Sequence, residues 1–223
     1  MSTPAPIDLS LHVISEADPE RGIDHLHVAR ATVEGGAGIF QLRDKDRPPD
    51  EMEPLAREAT AVCRGGGTAC VINDFPEVAL RAGAAGTHVG QEDLPLREAL
   101  VLCLPHGLLV GASATNLAEV LAAEAAGAHY IGLGPIFATP SKADAAPPIG
   151  LEGLEAICRR TSVPVVAIGG VNRENAGAVI EHGAAGVAVI SAVTHAHDMA
   201  EAVRELRHLI ALALARRENG DTS

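Results

Sequence analysis

VPVVAIGGVNRENAGAVIEHGAAGVAVIS, Val163 to Ser191, is the stretch on which the fold turns. Its first run, Val163 to Ile168, is short, apolar and β-branched, as expected of a strand buried on both faces. Gly169 and Gly170 break that run, and Asn172 is placed to cap a helix that ends near Gly183. A second apolar run begins at Gly186 and closes on the hydroxyl of Ser191. The order strand, Gly-Gly turn, helix, strand sets the turn and Ser191 at one edge of a parallel sheet. Main-chain N–H groups presented by paired glycines, beside a hydroxyl on the next strand, form a socket for a phosphate. In (β/α)8 barrels such a socket commonly follows strands seven and eight. Paired glycines also make plain tight turns; the hydroxyl of Ser191 is what favours the phosphate.

Outward from this stretch, the same alternation fills the chain. Strand-like runs cover 11–14, 38–43, 68–72, 86–89, 108–112, 129–133, 163–168 and 186–190, with helical patterning at roughly 22–35, 50–64, 75–83, 95–104, 116–126, 150–160, 173–182 and 198–217. Eight strands alternating with eight helices predict one (β/α)8 TIM barrel of the α/β class over residues 1–223. Residues 1–9 read as a tail, and 218–223 as a frayed end. Gly36-Ala37, Gly83-Ala84, Gly127-Ala128 and Gly183-Ala184 each close a helix before an apolar strand, so the chain reads as four quarter-barrels.

The 223 residues carry a formal charge of −12, which argues against nucleic acid or an anionic membrane as partner. The four cysteines, Cys63, Cys70, Cys103 and Cys158, have no metal spacing and lie in apolar settings, which predicts reduced structural thiols and a cytoplasmic protein. The first residues have neither a basic region nor an apolar core, so no signal peptide is expected, and no run is long enough for a membrane helix. The alanine-rich outer helices would permit a homo-oligomer.

Function in such a barrel sits at the C-terminal ends of the strands. Strand two ends in Gln41-Leu42-Arg43-Asp44-Lys45; alternation puts Gln41, Arg43 and Lys45 on one face and Leu42 on the other, against a helix. Two cations aimed into a barrel mouth call for an anion. Asn73-Asp74 ends strand three, and Gly90-Gln91-Glu92-Asp93 follows strand four. Strands lie about 4.8 Å apart, so Asp74 and Asp93 can converge on Mg²⁺, with phosphate oxygens and water completing the octahedron. Each Asp also precedes a helix and could be no more than its cap. Ser113, ending strand five, could bind a ligand or cap the helix starting near Asn116. The longest connection follows strand six and carries Thr139, Pro140, Ser141 and Lys142, with the apolar Ile136 and Phe137 before them. His88 reads as a hydrogen-bonded core residue, and no Ser/His/Asp or Cys/His set can be assembled. The tally is a phosphate socket, a cationic cluster and an acidic pair. It suits two phosphorylated small molecules, one losing diphosphate by ionisation without a strong base.

Across QLRDK (41–45), INDFPEVALRAGAAGTHVGQEDLP (72–95), GAHYIGLGPIFATPSK (127–142), PIGLEGL (148–154) and AIGGVNRENA…GVAVIS (167–191), the chain resembles the thiamine phosphate synthase family. The resemblance implies a transferase joining hydroxymethylpyrimidine diphosphate to hydroxyethylthiazole phosphate through a pyrimidinylmethyl cation. It assigns the pentapeptide 41–45, Asn73, Ser113 and Lys142 to the pyrimidine diphosphate, with Arg43, Lys45, Ser113 and Lys142 as the catalytic set. Asp74 and Asp93 would hold Mg²⁺. Thr139, Pro140, Ser141, Gly170, Ile190 and Ser191 would hold the thiazole phosphate. Asn73's role and the Ile190 contact come from the resemblance alone. The chain departs from the family pattern at Asp44, where Glu is usual, and at Thr115, where His is frequent two residues after the Ser. A thiazole tautomerase-type isomerase shares the fold but tends to lack the cationic pentapeptide and the acidic pair. A non-catalytic thiamine phosphate sensor would have no use for Lys142, Asp74 and Asp93.

Overall fold

The computed structural model describes residues 7–138 and 147–220. Eight strands, β1 (Leu11–Ile14), β2 (Ile39–Leu42), β3 (Ala69–Asn73), β4 (Gly86–Val89), β5 (Leu109–Ala114), β6 (Tyr130–Leu133), β7 (Val165–Ile168) and β8 (Gly186–Val189), each pair in parallel with the next. β8 pairs with β1 and closes the barrel. The helices among the described residues are α1 (His25–Gly35), α2 (Pro49–Gly66), α3 (Pro76–Ala82), α4 (Leu96–Cys103), α5 (Leu117–Ala126), α6 (Gly150–Cys158), α7 (Ala176–Glu181), α8 (Ser191–Thr194) and α9 (Met199–Glu218).

Period-two alternation divides each strand between two cores. Outward residues such as Leu11, Val13, Phe40, Leu42, Ile72, Ile131, Leu133, Val187 and Val189 pack under the helices in one continuous cluster. Inward residues Ile14, Tyr130, Val166 and Ala188 fill the barrel itself. Tyr130 fits because strand β5 places Gly111 beside it; a Cβ there would collide with the phenol ring. Among the described residues no helix is long and apolar enough to cross a membrane. All four cysteines are free thiols, three of them buried.

The structure differs from the sequence pattern in three places, and at Leu42 from what the resemblance implies. β2 ends at Leu42, because the Arg43 N–H leaves the ladder and donates to Ser15 Oγ at 3.0 Å. Arg43 and Lys45 therefore stand on a loop and are not successive members of a strand face. Asn172 does not cap α7: its Oδ1 accepts from Glu174 N at 2.8 Å, forming a turn that precedes the helix. Ser191 does not end a strand but opens the four-residue α8. Leu42 has no exposed surface and belongs to the core beneath the helices, so its side chain has no access to a ligand.

Candidate active site

Five of the residues singled out by sequence, Gln41, Arg43, Asn73, Ser113 and Ile190, line one cavity of about 80 Å³ at the C-terminal mouth of the barrel. They meet there because each is an inward position, or the first residue past one, on β2, β3, β5 or β8. The apolar wall is Ile14, Val166, Ile168 and Ala188, with Gly132 leaving room.

A hydrogen-bond chain fixes the polar floor. The buried Gln41 bonds the Tyr130 hydroxyl, whose oxygen lies 3.0 Å from His88 Nδ1; His88 Nε2 lies 2.9 Å from Ser113 Oγ. With the Gln41 amide donating to the phenol oxygen, the Tyr130 O–H donates to Nδ1 and Nε2–H donates to Ser113. In that order Ser113 Oγ accepts from the ring, which leaves its hydroxyl hydrogen to donate elsewhere. Burial raises the Tyr130 pKa, keeping the phenol neutral. Ser113 is thus not the helix cap; Asn116 is, with its Oδ1 accepting from Glu119 N at 3.0 Å. The Thr115 hydroxyl donates to Glu119 Oε2 at 3.1 Å within the same cap, so it is bound into the helix start.

His12, on β1, also lines the cavity and was missed by the sequence reading. Burial, reinforced by His88, lowers its pKa to about 3, so the ring is neutral. Its Nε2 has no hydrogen-bond partner among the described residues, and the ring packs edge-on to Tyr130 at 5.1 Å. An inward polar residue on an otherwise apolar strand was the one available signal.

Beside the cavity stand the two carboxylates. Asp74 has φ +66°, the one left-handed conformation outside glycine among the described residues. It sits at the centre of a tight turn in which Phe75 N donates to Asn73 O at 2.9 Å. Such strain persists only where the surroundings hold it, and it clusters at functional sites. The side chains of Asp74 and Asp93 hydrogen-bond each other. Burial, then the Asp93 carboxylate, pushes Asp74 up to about 7; Lys45 and Arg43 oppose that shift. Burial would raise Asp93 as well, but its bonds from Asp74 and from Gly90 N (2.7 Å) hold it low. The pair therefore keeps one proton near neutral pH, as two carboxylates forced together must. Neither Asp is a helix cap: Phe75 and Pro95 occupy those positions without side-chain bonds.

The donor chemistry fits Mg²⁺, which can take the place of the shared proton and draw its remaining oxygens from water and a diphosphate. Among the described residues no group of three or more His, Cys, Asp or Glu is arranged for a metal. Two carboxylates alone leave positions of an octahedral ion for further oxygens.

Across the mouth, Gly169 and Gly170 have φ +94° and +67° and lie against the start of the β6–α6 connection. Ile136 N donates to Ile168 O at 2.9 Å and Phe137 N to Gly169 O at 3.0 Å. A Cβ on Gly170 would come within 2.7 Å of Phe137 Cβ and 2.8 Å of Ala138 O. Close approach and left-handed backbone together demand glycine. Half-buried Ser191 stands on the neighbouring strand's exit. Thr139, Pro140, Ser141 and Lys142 lie outside the described residues. The Asp44 side chain turns from the cavity to His25 Nε2 (3.2 Å) and Arg47 Nε (3.0 Å), so it is not presented to a ligand.

A closed parallel barrel with charged and hydroxyl groups gathered at its C-terminal mouth defines a (β/α)8 enzyme of the phosphate-handling kind. The family described as thiamine monophosphate synthase matches residues 11–193. A thiamine-phosphate synthase from Chloroflexus aurantiacus is 45% identical over 206 residues, covering 92% of this chain and 94% of the relative. Another, from Methanocella arvoryzae, is 44% identical over 90% of this chain and 94% of its own. Among solved structures, thiamine phosphate pyrophosphorylase from Pyrococcus furiosus superposes with a TM-score of 0.83 at 37% identity, covering 93% of this chain and 98% of that one. The chain belongs to the thiamine monophosphate synthase family and is a transferase of thiamine biosynthesis.

Proposed function

We propose that this barrel mouth joins hydroxymethylpyrimidine diphosphate to hydroxyethylthiazole phosphate by a dissociative, Mg²⁺-assisted route, releasing diphosphate and giving thiamine phosphate. The observation that carries the reading is the convergence of Gln41, Arg43, Asn73 and Ser113 on one cavity, with Asp74 in electrostatic reach of Arg43 and Lys45. Gln41 and the Ser113 hydroxyl orient the pyrimidine in the cavity, and the apolar wall of Ile14, Val166 and Ile168 keeps water from the benzylic-type carbon. Arg43 and Lys45, with Lys142 from the β6–α6 connection, stabilise the negative charge that grows on the departing diphosphate. Asp74 and Asp93 would hold Mg²⁺, which would supply Lewis-acid neutralisation of the diphosphate. Gly170, Ile190 and Ser191, with Thr139 and Ser141, hold the thiazole phosphate so that its ring nitrogen faces the cation as it forms. Ionisation drives the step, so no strong base is required. The reactants are two small phosphorylated molecules, and the reduced thiols suit a cytoplasmic setting.

The test is product formation by purified protein given both substrates, with Mg²⁺ or with a chelator. Mg²⁺-dependent thiamine phosphate and stoichiometric diphosphate are expected. Tight binding of thiamine phosphate without any turnover would replace this reading with that of a sensor.

A further inference from the structure

The sequence offers no Ser/His/Asp set, yet the fold builds one. Ser15 ends the β1 region, His25 opens α1, and Asp44 lies on the β2–α2 loop. His25 Nδ1 is 2.9 Å from Ser15 Oγ, and His25 Nε2 is 3.2 Å from Asp44 Oδ2. Both Ser15 and His25 are buried. An ionised carboxylate only accepts, so Nε2 carries the ring hydrogen and Nδ1 accepts from the Ser15 hydroxyl. Burial outweighs the opposing pull of Asp44 and holds His25 below the ordinary imidazole value, which keeps the ring neutral.

The arrangement has a nucleophile's residue types but not its circumstances. Ser15 Oγ accepts the Arg43 N–H at 3.0 Å, is shut away from solvent, and does not line the cavity. Its hydrogen bonds run instead to the strand end that carries the cations. The Ser15 N–H donates to Gln41 O at 2.9 Å, its hydroxyl receives Arg43 N, and the far end of the chain grips Asp44. Arg47 Nε at 3.0 Å and Asp46 N at 3.2 Å hold the two oxygens of Asp44 in turn. Three of the five residues of the pentapeptide, Gln41, Arg43 and Asp44, are thereby tied to the end of β1 or the start of α1, two of them beyond the end of β2.

We infer that Ser15, His25 and Asp44 are positioning residues: a relay, buried at Ser15 and His25, that fixes the main chain at Gln41–Asp44 so that the Arg43 and Lys45 side chains are preset for the diphosphate. The inference rests on the functional reading above, in which those cations grip the leaving group. The relay replaces ladder hydrogen bonds with side-chain ones at the point where the chain must leave the sheet and still place a cation accurately.

The test uses Ser15→Ala, which deletes one oxygen, together with His25→Phe and the conservative Asp44→Glu. For Ser15→Ala the KM for the pyrimidine diphosphate should rise about tenfold to a hundredfold, with the KM for the thiazole phosphate unchanged. The dissociation constant for inorganic diphosphate with Mg²⁺ should rise in parallel. Asp44→Glu, which keeps a carboxylate for His25, should retain most of the pyrimidine diphosphate affinity that His25→Phe loses. In a background with both Arg43→Ala and Lys45→Ala, Ser15→Ala should add no more than about twofold, because the relay acts through those two side chains. A lowered Tm with both KM values changed equally, or full additivity with the Arg43→Ala, Lys45→Ala pair, would reduce the relay to ordinary scaffolding and overturn the inference. Should the wild-type protein make no thiamine phosphate, the functional reading falls, and the diphosphate titration alone decides the relay.

Discussion

From β2 to β5 the mouth works with side chains, and from β7 to β8 with main chain. The first half presents Gln41, Arg43, Asn73 and Ser113 to the cavity, backed by buried hydrogen bonds through Tyr130 and His88, with the Asp74–Asp93 pair beside it. The second half presents a Gly169-Gly170 turn against Phe137 and a short helix opening at Ser191. In the proposed reading, one half would tell a diphosphate-bearing ring from its neighbours by charge and hydrogen bonds, and would share a divalent cation with it. The other offers N–H groups and little room, which suits a single phosphate. The division matches a reaction in which one partner ionises and the other merely has to be held in line.

The largest effect should come from the charged half. Arg43→Ala should lower kcat/KM for the pyrimidine diphosphate by about 10²–10³, the cost of removing one preorganised donor from developing charge. Steady-state kinetics with the thiazole phosphate saturating would read it. On the glycine half, Gly170→Ala combines φ +67° with the 2.7 Å approach to Phe137. It should destabilise the protein by about 2 kcal/mol or more, seen as a lowered Tm and denaturant midpoint. A stable Gly170→Ala protein would mean that the turn is looser than the comparison requires.

Smaller effects sharpen the contrast through pH. Asp74 is pushed up to about 7, so metal must displace a proton below that value. Mg²⁺ affinity should rise with pH up to about 7 and level off above it, by at most about tenfold per unit. The metal-free protein has the opposite dependence. The folded state holds a proton that the unfolded carboxyl has already lost, so this group's contribution to stability declines from pH 4 to pH 7. Asp74→Asn should flatten both trends, measured by calorimetric Mg²⁺ titration and by urea unfolding with a chelator. His12 gives the smallest effect at neutral pH. Its folded pKa of about 3 lies below the unfolded value of 6.5, so the unfolded chain takes up a proton first and stability falls as pH drops below 6.5. The slope from this group is about 1.4 kcal/mol per unit, and His12→Phe should remove it from the urea-midpoint profile.

The barrel was legible because its signals are local. Buried parallel strands must be apolar on both faces, and helices between them end where Gly36, Gly83 and Gly127 stop them. The meeting of cations and acids was legible too, since Arg43, Asp74 and Asp93 all follow the C-terminal ends of neighbouring strands. What was not legible depends on register and on leaving the sheet. Whether Leu42 faces helix or ligand follows from alternation, and there the sequence pattern and the structure agree. That β2 stops before Arg43 follows from Ser15, twenty-odd residues upstream, and no local pattern reports it. His12 and Tyr130 were passed over because a single polar atom in an apolar strand carries no sign of direction. Asp74 and Ser113 had both been open to a capping role, and only the positions of Phe75 and Asn116 as the caps settle that.

The claim that two halves of the mouth hold two different substrates is tested most directly by measuring both KM values in Arg43→Ala and in Ser191→Ala, each near its own temperature of full stability. A crossed pattern is predicted: the pyrimidine diphosphate KM rises in Arg43→Ala with the thiazole phosphate KM unmoved, and the reverse holds in Ser191→Ala. Parallel rises in both variants would contradict the division and leave a single undivided anion site.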